Sequence, residues 1–205
     1  MLKRIAITGG IASGKSLLGS WLTAPPNNYA VIDADHTVHD LLAHNAEVIE
    51  AIAERFGNTI LLQAPHTGVD RTQLGARVFE DSTEATEHRR WLEQLLHPKV
   101  AQVREAFFAE QQAHGARFVF ALIPLLFETM EDASIAQQFD ETWLVAIPPA
   151  LQLERLQHHR GMTLEAAQAR INAQYPLERK QQRATHTLWN THTPEALFQQ
   201  ALALM

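Results

Sequence analysis

The residues with the clearest chemical potential lie near the N-terminus, in a stretch rich in glycine. Its sequence is Gly9-Gly10-Ile11-Ala12-Ser13-Gly14-Lys15-Ser16, which matches the phosphate-loop pattern G-x-x-x-x-G-K-[ST]. Gly9 and Gly14 allow a tight turn that brings backbone N–H groups close to phosphate oxygens. Lys15 can carry a positive charge to the β- and γ-phosphates, and the Ser16 hydroxyl can hold Mg²⁺. The pattern therefore predicts a binding site for a nucleoside triphosphate.

Two aspartates, Asp33 and Asp35, follow a short apolar run at residues 30–32. This run predicts a strand, and a carboxylate at its end can accept a proton from an attacking hydroxyl or bind Mg²⁺ through water. Either aspartate could instead cap the helix that follows. We favour a functional role for Asp33, which is nearer the strand, and both interpretations stay open for Asp35.

Basic and amide side chains late in the chain could complete such a site. Arg155, His159 and Arg160 lie on a predicted helix. Guanidinium groups there could close over the γ-phosphate and stabilise the charge of the transition state, and an ordinary solvated helix face is the alternative. Asn190 lies beside Trp189 in a possible loop for the nucleotide base.

Other motifs bear on the metal and on the type of nucleotide. His36 and His39 have helical i,i+3 spacing, but nothing nearby completes a zinc ligand set. The predicted third strand ends at Ile123 without an aspartate at its tip, so magnesium would rest on Ser16, the phosphates, water and Asp33. The chain has no N-K-x-D motif, which argues against a GTPase switch protein.

Alternating strand and helix patterns must position these residues. Apolar runs predict strands at residues 5–8, 30–32, 117–123, 141–147 and 187–189. Helical patterns cover residues 17–22, 34–44, 46–56, 71–79, 150–159, 163–173 and 194–204. A further long helix is predicted to residue 114, interrupted near His97 and Pro98. Residues 58–69, which include Pro65 and Gly68, predict a loop or hairpin.

This order of elements indicates an α/β fold. We expect a parallel sheet of about five strands, joined by right-handed crossovers and flanked by helices. Ligands of such sheets lie beyond the carboxyl ends of the strands. The phosphate loop, Asp33, Pro124 and Pro148 are therefore expected around one cleft, with the helices of residues 34–114 forming a lobe.

The composition limits the class of protein. A chain of 205 residues, 46% hydrophobic and 20% charged, is typical of a globular protein with one core and room for an inserted lobe. The formal net charge of −6 argues against general attraction to nucleic acid or membranes. The absence of cysteine excludes disulfides, thiolate metal sites and a cysteine nucleophile.

No apolar run approaches the roughly 20 residues that span a bilayer, and no signal peptide is expected. We therefore expect the protein to act in the cytoplasm, where ATP is available.

Taken together, the motifs resemble those of the dephospho-coenzyme A kinase family over nearly the full chain. The matching segments are Thr8 to Ser16, Ile32-Asp33-Ala34-Asp35, Arg71-x-x-Leu74-Gly75-x-x-Val78-Phe79, Leu96-His97-Pro98, Pro124-Leu125-Leu126-Phe127-Glu128, Gln152-x-x-Arg155-Leu156, Arg170-Ile171-x-x-Gln174 and Asn190. A phosphate loop alone is shared by many unrelated enzymes. The ordered set is far more specific.

The resemblance implies a P-loop kinase that transfers the γ-phosphoryl group of ATP, with Mg²⁺, to the ribose 3′-hydroxyl of dephospho-coenzyme A. It implies that Asp33 is the general base and that Lys15, Arg155 and Arg160 act in catalysis. The nucleotide-binding residues it implies are Ile11, Ala12, Ser13, Gly14, Lys15, Ser16, Leu17 and Asn190. The acceptor-binding residues are Asp35, His36, Arg71, His97, Pro124 and Leu125, and the magnesium-binding residues are Ser16 and Asp33.

The resemblance also implies a division of the chain. Residues 1–33 and 115–205 would form the nucleotide-binding core, with a short lid at about 150–175, and residues 34–114 would form the helical acceptor-binding lobe. No nucleic acid or membrane partner is expected. Both a monomer and a homotrimer are compatible with the family.

Several positions depart from the family pattern. Ala12 stands where the family has glycine, and it is strained if the backbone there needs a positive φ. Leu17 replaces a common threonine, and Val38-His39 replaces a common Ala-Arg pair. His159 and Arg160 are shifted relative to the lid arginine, so that either could substitute for it.

Two alternative functions remain open. Another small-molecule P-loop kinase, acting on a nucleoside, nucleotide or sugar acid, would share the loop and Asp33. A regulatory nucleotide-binding protein that no longer transfers phosphate is a second alternative, against which the intact Lys15, Ser16 and Asp33 argue.

Overall fold

The computed structural model describes residues 2–63 and 67–205. Within this part of the chain, five strands form one parallel sheet in the order β2-β3-β1-β4-β5. The strands are β1 (Lys3–Gly9), β2 (Ala30–Asp33), β3 (Phe118–Leu122), β4 (Glu141–Ala146) and β5 (His186–Trp189). The predicted parallel five-stranded sheet flanked by helices is therefore confirmed.

The helices connect these strands and extend between them. They are α1 (Lys15–Thr23), α2 (Ala34–His44), α3 (Ala46–Phe56), α4 (Arg71–Val78), α5 (Thr83–Ala113), α6 (Leu126–Thr129), α7 (Asp132–Gln138), α8 (Pro149–Arg160), α9 (Leu164–Asn172), α10 (Leu177–Arg183) and α11 (Pro194–Leu202). A short 3₁₀ turn, Asn58–Ile60, follows α3. None of the helices in the described ranges is both long enough and apolar enough to cross a membrane.

The chain divides into two compact units. One consists of Met1–Asp33 and Phe108–Met205, and the other of Ala34–Phe107. The first unit contains the whole sheet and the phosphate loop, and the second contains α2, α3, α4 and most of α5. The functions assigned to the two parts of the chain from the sequence stay predictions.

The core of the sheet-containing unit forms where the strands are covered on both faces. The last residues of β1, from Ile5 to Gly9, are all buried, as expected for a central parallel strand. Ile5 and Ile7 pack in one cluster with Leu18 of α1 and Trp143 of β4, all fully buried. Burying one such side chain contributes about 1.5–3 kcal/mol, so this cluster holds α1, and with it the loop that precedes α1, against the sheet.

The helical unit has its own apolar cluster and its own helix caps. Leu41, Val48, Ile52 and Leu74 are among its buried side chains. The Asn45 side chain accepts a hydrogen bond from the Val48 N–H, which caps α3.

Asp70 caps α4 in the same way. Its carboxylate accepts hydrogen bonds from the Thr72 and Gln73 N–H groups and from the Gln73 side chain. These bonds, the Gln73 side chain first, hold the pKa of Asp70 below its usual value because they stabilise the charged form.

The structure corrects the predicted course of the helices. The expected interruption near His97 and Pro98 is wrong, since α5 runs unbroken from Thr83 to Ala113 with Pro98 inside it. Proline removes one intrahelical hydrogen bond, and apolar side chains on either side, such as Leu96 and Val100, pack in the cluster of the helical unit.

The sequence patterns also missed helices α6, α7 and α10, which have 4, 7 and 7 residues. Such short helices carry little periodic signal. In the predicted loop at residues 58–69, Leu61 and Val69 form an antiparallel bridge, and Pro65 lies outside the described residues.

Glu141, at the start of β4, gives the fold a pH dependence. Its carboxylate is 2.7 Å from the Lys3 ammonium and accepts a hydrogen bond from the Trp143 indole at 2.9 Å. Burial raises the pKa of Glu141, but the Lys3 and Trp143 hydrogen bonds and the charges of Lys3 and His186 outweigh it, so that the net pKa lies below its usual value. The charged form therefore stabilises the fold above the unfolded pKa, and this contribution is lost as the pH falls through the folded pKa.

We predict that Glu141→Gln lowers the free energy of unfolding at pH 7 by about 1–2 kcal/mol, the scale of a hydrogen bond to a charged group. The difference from the parent should shrink towards zero near about pH 3. Urea unfolding at both pH values measures it. Glu154→Gln, at an exposed position of α8, should differ from the parent by less than about 0.5 kcal/mol at either pH. An effect of Glu141→Gln that is equal at both pH values would contradict the role of the charge.

Candidate active site

The phosphate loop connects the end of β1 at Gly9 to the start of α1 at Lys15. Within it, the Ser13 N–H donates to the Gly10 carbonyl at 3.1 Å. Gly14 has φ 98° and Ala12 has φ 60°, so both residues lie in the left-handed region. This confirms that the backbone at Ala12 has the positive φ that disfavours a side chain. The first N–H groups of α1 have no partner within the helix, which suits them for an anion.

A side chain would collide with neighbouring groups at each of the three glycines of the loop. A Cβ added to Gly9 would lie 2.3 Å from the Ser13 Oγ and 2.8 Å from the Val145 carbonyl oxygen. A Cβ added to Gly10 would lie 2.4 Å from the Gln152 amide nitrogen, and one added to Gly14 would lie 2.2 Å from the Asn190 amide nitrogen. Asn190 is only 4% exposed, so it has little room to move away. These glycines are needed for close packing as well as for backbone conformation.

Four polar side chains from the C-terminal part of the chain form hydrogen bonds to the backbone of the loop. Gln174 accepts from the Ile11 N–H at 2.9 Å, and Gln152 donates to the Ile11 carbonyl at 2.9 Å. Arg155 donates to the carbonyl of Ala12 at 3.2 Å and to that of Asn190 at 2.9 Å. Asn190 donates to the Ser13 carbonyl at 2.8 Å. We call Gln152, Arg155, Gln174 and Asn190 the loop clamp.

The sequence patterns singled out Arg155 and Asn190 but assigned no role to Gln152 or Gln174. The only signal was their place in the C-terminal family segments. A side chain that contacts only the backbone of a distant loop leaves no motif that spacing alone can reveal. The catalytic role of Arg155 and the nucleotide-binding roles of Asn190 and Ile11 stay predictions.

Lys15, the first residue of α1, and Asp33, the last residue of β2, lie near each other at the carboxyl edge of the sheet. The Lys15 ammonium is 3.9 Å from the nearer Asp33 oxygen, and the two side chains are 10% and 30% exposed. β3 separates β1 from β2 in the sheet, and Asp33 pairs with Leu122 at the end of β3. This strand order is what brings a carboxylate of β2 to the lysine that follows β1.

The segment after β3 also lies in this unit. The fully buried Thr8 hydroxyl donates to the Pro124 carbonyl at 3.1 Å, which fixes Pro124 beside the end of β1. Leu125 is 40% exposed. Their predicted contacts with the acceptor stay predictions.

Glu128 belongs to a buried ion pair that the sequence patterns did not indicate. Its carboxylate lies 2.7 Å from the Lys180 ammonium, with side chains 13% and 2% exposed, and accepts from the Tyr175 N–H at 3.0 Å. The sequence placed Glu128 in a matching family segment without a role. The pair joins the connection after β3 to α10.

Arg183 reinforces the same junction. It donates to the Phe127 carbonyl and, at 2.7 Å, to that of Met130, and it pairs with Asp132 at 2.6 Å. A cavity of about 390 Å³ lies between the phosphate loop, the end of β4, α8, α9 and α10, and it is bordered among others by Gly10, Gln152 and Lys180.

The remaining predicted residues are placed as follows. Leu17 is 41% exposed in α1, and His159 and Arg160 are exposed at the end of α8. In the helical unit, Asp35 lies in the first turn of α2, and the His36 imidazole is 3.5 Å from the Asp40 carboxylate. Arg71 and His97 are exposed in α4 and α5. Their roles towards ATP or the acceptor stay predictions.

The oxygens of Ser16 and Asp33 fit magnesium. Ser16 is exposed in the first turn of α1, and the Asp33 carboxylate is partly exposed. Hydroxyl and carboxylate oxygens are the hard donors that Mg²⁺ takes, while most of its shell is usually water and phosphate. Among the described residues no cluster of three or more histidine, aspartate or glutamate side chains could hold a metal by itself, so phosphates and water would have to complete the shell.

The five-stranded parallel sheet, with a phosphate loop between its central strand and α1, defines a nucleotide-binding protein of the P-loop class. A family model described as dephospho-CoA kinase matches residues 3–195. The chain belongs to the dephospho-CoA kinase family, which confirms the resemblance found in its motifs.

Three individual proteins are similar to this chain over nearly its full length. A dephospho-CoA kinase of Synechococcus sp. (strain CC9605) is 40% identical over 204 residues, which cover 99% of this chain and 92% of the relative. The structure of TT1252 from Thermus thermophilus has a TM-score of 0.75 at 32% identity, covering 98% of this chain and 95% of that one. The dephospho-CoA kinase from Campylobacter jejuni has a TM-score of 0.71 at 27% identity, with coverage of 100% and 96%.

Ala12 provides a test of strain in the loop. Because its φ of 60° costs a non-glycine residue about 1–2 kcal/mol, we predict that Ala12→Gly raises the free energy of unfolding by up to about 1 kcal/mol. The gain is partly offset by the entropy of glycine in the unfolded chain. Urea unfolding measures the change.

The matched control is Ala169→Gly, at an exposed position inside α9, which should lose about 1 kcal/mol. If both glycine variants lost the same stability, Ala12 would not be strained.

Proposed function

We propose that this chain catalyses the transfer of the γ-phosphoryl group of ATP to the ribose 3′-hydroxyl of dephospho-CoA, giving CoA and ADP. The observation that carries the proposal is the position of Lys15, 3.9 Å from Asp33, in a chain that belongs to the dephospho-CoA kinase family. A cation for the phosphates and a carboxylate for the acceptor hydroxyl are then neighbours at one edge of the sheet.

The proposed reaction is a direct in-line displacement. The 3′-hydroxyl oxygen forms a bond to the γ-phosphorus, and the bond from that phosphorus to the bridging oxygen breaks, leaving its electron pair on ADP. The hydroxyl proton passes to the Asp33 carboxylate, which acts as general base. No covalent enzyme intermediate is needed, so catalysis consists of positioning and charge stabilisation.

The cations of the sheet-containing unit have different proposed tasks. Lys15 is 9% exposed, so its charge is weakly screened and acts strongly on the β- and γ-phosphates. Arg155 contributes positive charge while its N–H groups hold the carbonyls of Ala12 and Asn190. Arg160, exposed at the end of α8, is the proposed lid cation, and residues 150–175 are the proposed lid.

Ser16 and Asp33 would hold Mg²⁺ together with the phosphates. The ion would neutralise charge on the β- and γ-phosphates when bound. The proposed nucleotide site further includes Ile11, Ala12, Ser13, Gly14, Leu17 and Asn190.

We propose that the helical unit supplies most of the acceptor site. Its proposed residues are Asp35, His36, Arg71 and His97, with Pro124 and Leu125 from the segment after β3. We further propose that the enzyme acts in the cytoplasm, where ATP is available, and that it binds neither nucleic acid nor a membrane. Both monomer and homotrimer are compatible with this function.

The activity is tested by incubating the protein with MgATP, with and without dephospho-CoA. We expect ADP release that depends on the acceptor, and a product heavier than the acceptor by about 80 Da, the mass of one added phosphoryl group. If the protein bound ATP but formed no such product in the presence of dephospho-CoA, the proposal would be contradicted. Turnover with a nucleoside or sugar acid instead would identify a different kinase.

We predict that Asp33→Asn lowers kcat by roughly 10²–10⁴, the usual contribution of a general base, while the Kd for ATP changes little. Steady-state kinetics and equilibrium binding separate the two effects. Asp81→Asn, at an exposed position, is the matched control and should retain full activity. Unchanged turnover in Asp33→Asn would remove this carboxylate from the mechanism.

We predict that Lys15→Ala weakens ATP binding and lowers kcat, because its charge contacts the phosphates both before and during transfer. A combined loss of at least about 10²-fold in kcat/KM is expected. Lys99→Ala is the control, since the Lys99 ammonium pairs with the exposed Glu47. Parent-like kinetics of Lys15→Ala would show that this loop does not bind the reacting phosphates.

A further inference from the structure

The loop clamp acts on consecutive peptide groups of the phosphate loop. Gln152 donates to the Ile11 carbonyl, Arg155 to the Ala12 carbonyl and Asn190 to the Ser13 carbonyl. Gln174 accepts from the Ile11 N–H. Gln152 and Asn190 are 8% and 4% exposed, and Arg155 and Gln174 are partly buried, so competing water has limited access to these bonds.

The direction of each carbonyl sets the direction of the next N–H group. A peptide unit is planar and trans, so its C=O and N–H point in opposite directions. Because the Ile11 carbonyl points to Gln152, the Ala12 N–H points away from Gln152. Because the Ser13 carbonyl points to Asn190, the Gly14 N–H points away from Asn190 in the same way. The Ser13 N–H is already bonded to Gly10. The clamp thus selects the amides of Ala12 and Gly14 to face an anion.

Ile11 is held on both sides by residues of the proposed lid. Gln152 lies in α8, three positions before Arg155 and so on the same helix face. Gln174 follows α9 directly after its C-cap, Ala173. Any displacement of these helix ends is therefore transmitted to the peptide group of Ile11, and through it to the amide of Ala12.

We propose that Gln152 and Gln174 are positioning residues for phosphoryl transfer: through opposite hydrogen bonds to Ile11, they orient the loop amides that bind the triphosphate. This rests on the proposed function only in assuming that the loop binds ATP. Neither side chain contacts the reacting atoms in this role. Gln174 acts as an acceptor and Gln152 as a donor, and this difference provides the test.

The experiment compares four variants of the full chain by their Kd for MgATP and for inorganic triphosphate. Gln174→Leu and Gln152→Leu remove the hydrogen bonds and should raise both Kd values roughly tenfold, the effect of losing one shielded hydrogen bond. Gln174→Glu keeps an acceptor for the Ile11 N–H and should recover most of the affinity. Gln152→Glu places a carboxylate against a carbonyl and should recover none.

The control is Gln137→Leu, at an exposed position of α7 outside the phosphate loop and the proposed lid. Its Kd should stay within about twofold of the parent. Urea unfolding of every variant shows whether the fold is retained.

Equal losses in the two glutamate variants would show that charge alone matters and would overturn the proposal, as would a parent-like Kd in Gln174→Leu. Because the readout is triphosphate binding, the result is independent of the acceptor. A protein that binds ATP but fails to phosphorylate dephospho-CoA would contradict the proposed function and leave this test intact.

Discussion

The orientation of a few peptide groups is the constraint on which the rest of this structure depends. A loop that binds phosphate must turn its N–H groups inwards, and its carbonyls then need partners on the outer side. Here the partners of the Ile11, Ala12 and Ser13 carbonyls come from α8 and from Asn190, directly after β5. Gln174, after α9, instead accepts from the Ile11 N–H. These hydrogen bonds therefore tie the N-terminal loop to the C-terminal third of the chain.

The sheet makes this arrangement possible by bringing strand ends together. β1 is central, with β3 and β4 as its neighbours, so the residues after these strands converge on the loop. The Thr8–Pro124 hydrogen bond and the Lys15–Asp33 approach both arise from this order. The apolar cluster around Ile5, Ile7 and Trp143 supplies the burial that holds the polar edge in place.

The buried charges of Lys180 and Glu128 lie beside each other, which offsets part of the cost of burying them. Lys180 and Glu128 form an ion pair, and Arg183 donates to the carbonyls of Phe127 and Met130. Such pairs contribute little net stability compared with apolar packing, but removing one partner is costly. Their effect is to join α10 to the connection after β3, beside the cavity that borders the loop.

The sequence by itself determined the phosphate loop, the strands that flank it, the parallel sheet and the family, because those features depend on local residue types and their spacing. It also singled out Ala12 as a position that is strained if its φ is positive, and the φ of 60° meets that condition. It did not reveal that Pro98 lies inside an unbroken helix, since local propensity does not include the packing of Leu96 and Val100. Only the tertiary structure decided which side chains hold the loop. Gln174 and Ile11 are 163 positions apart, and a hydrogen bond between them exists only when the folded sheet brings both ends of the chain together.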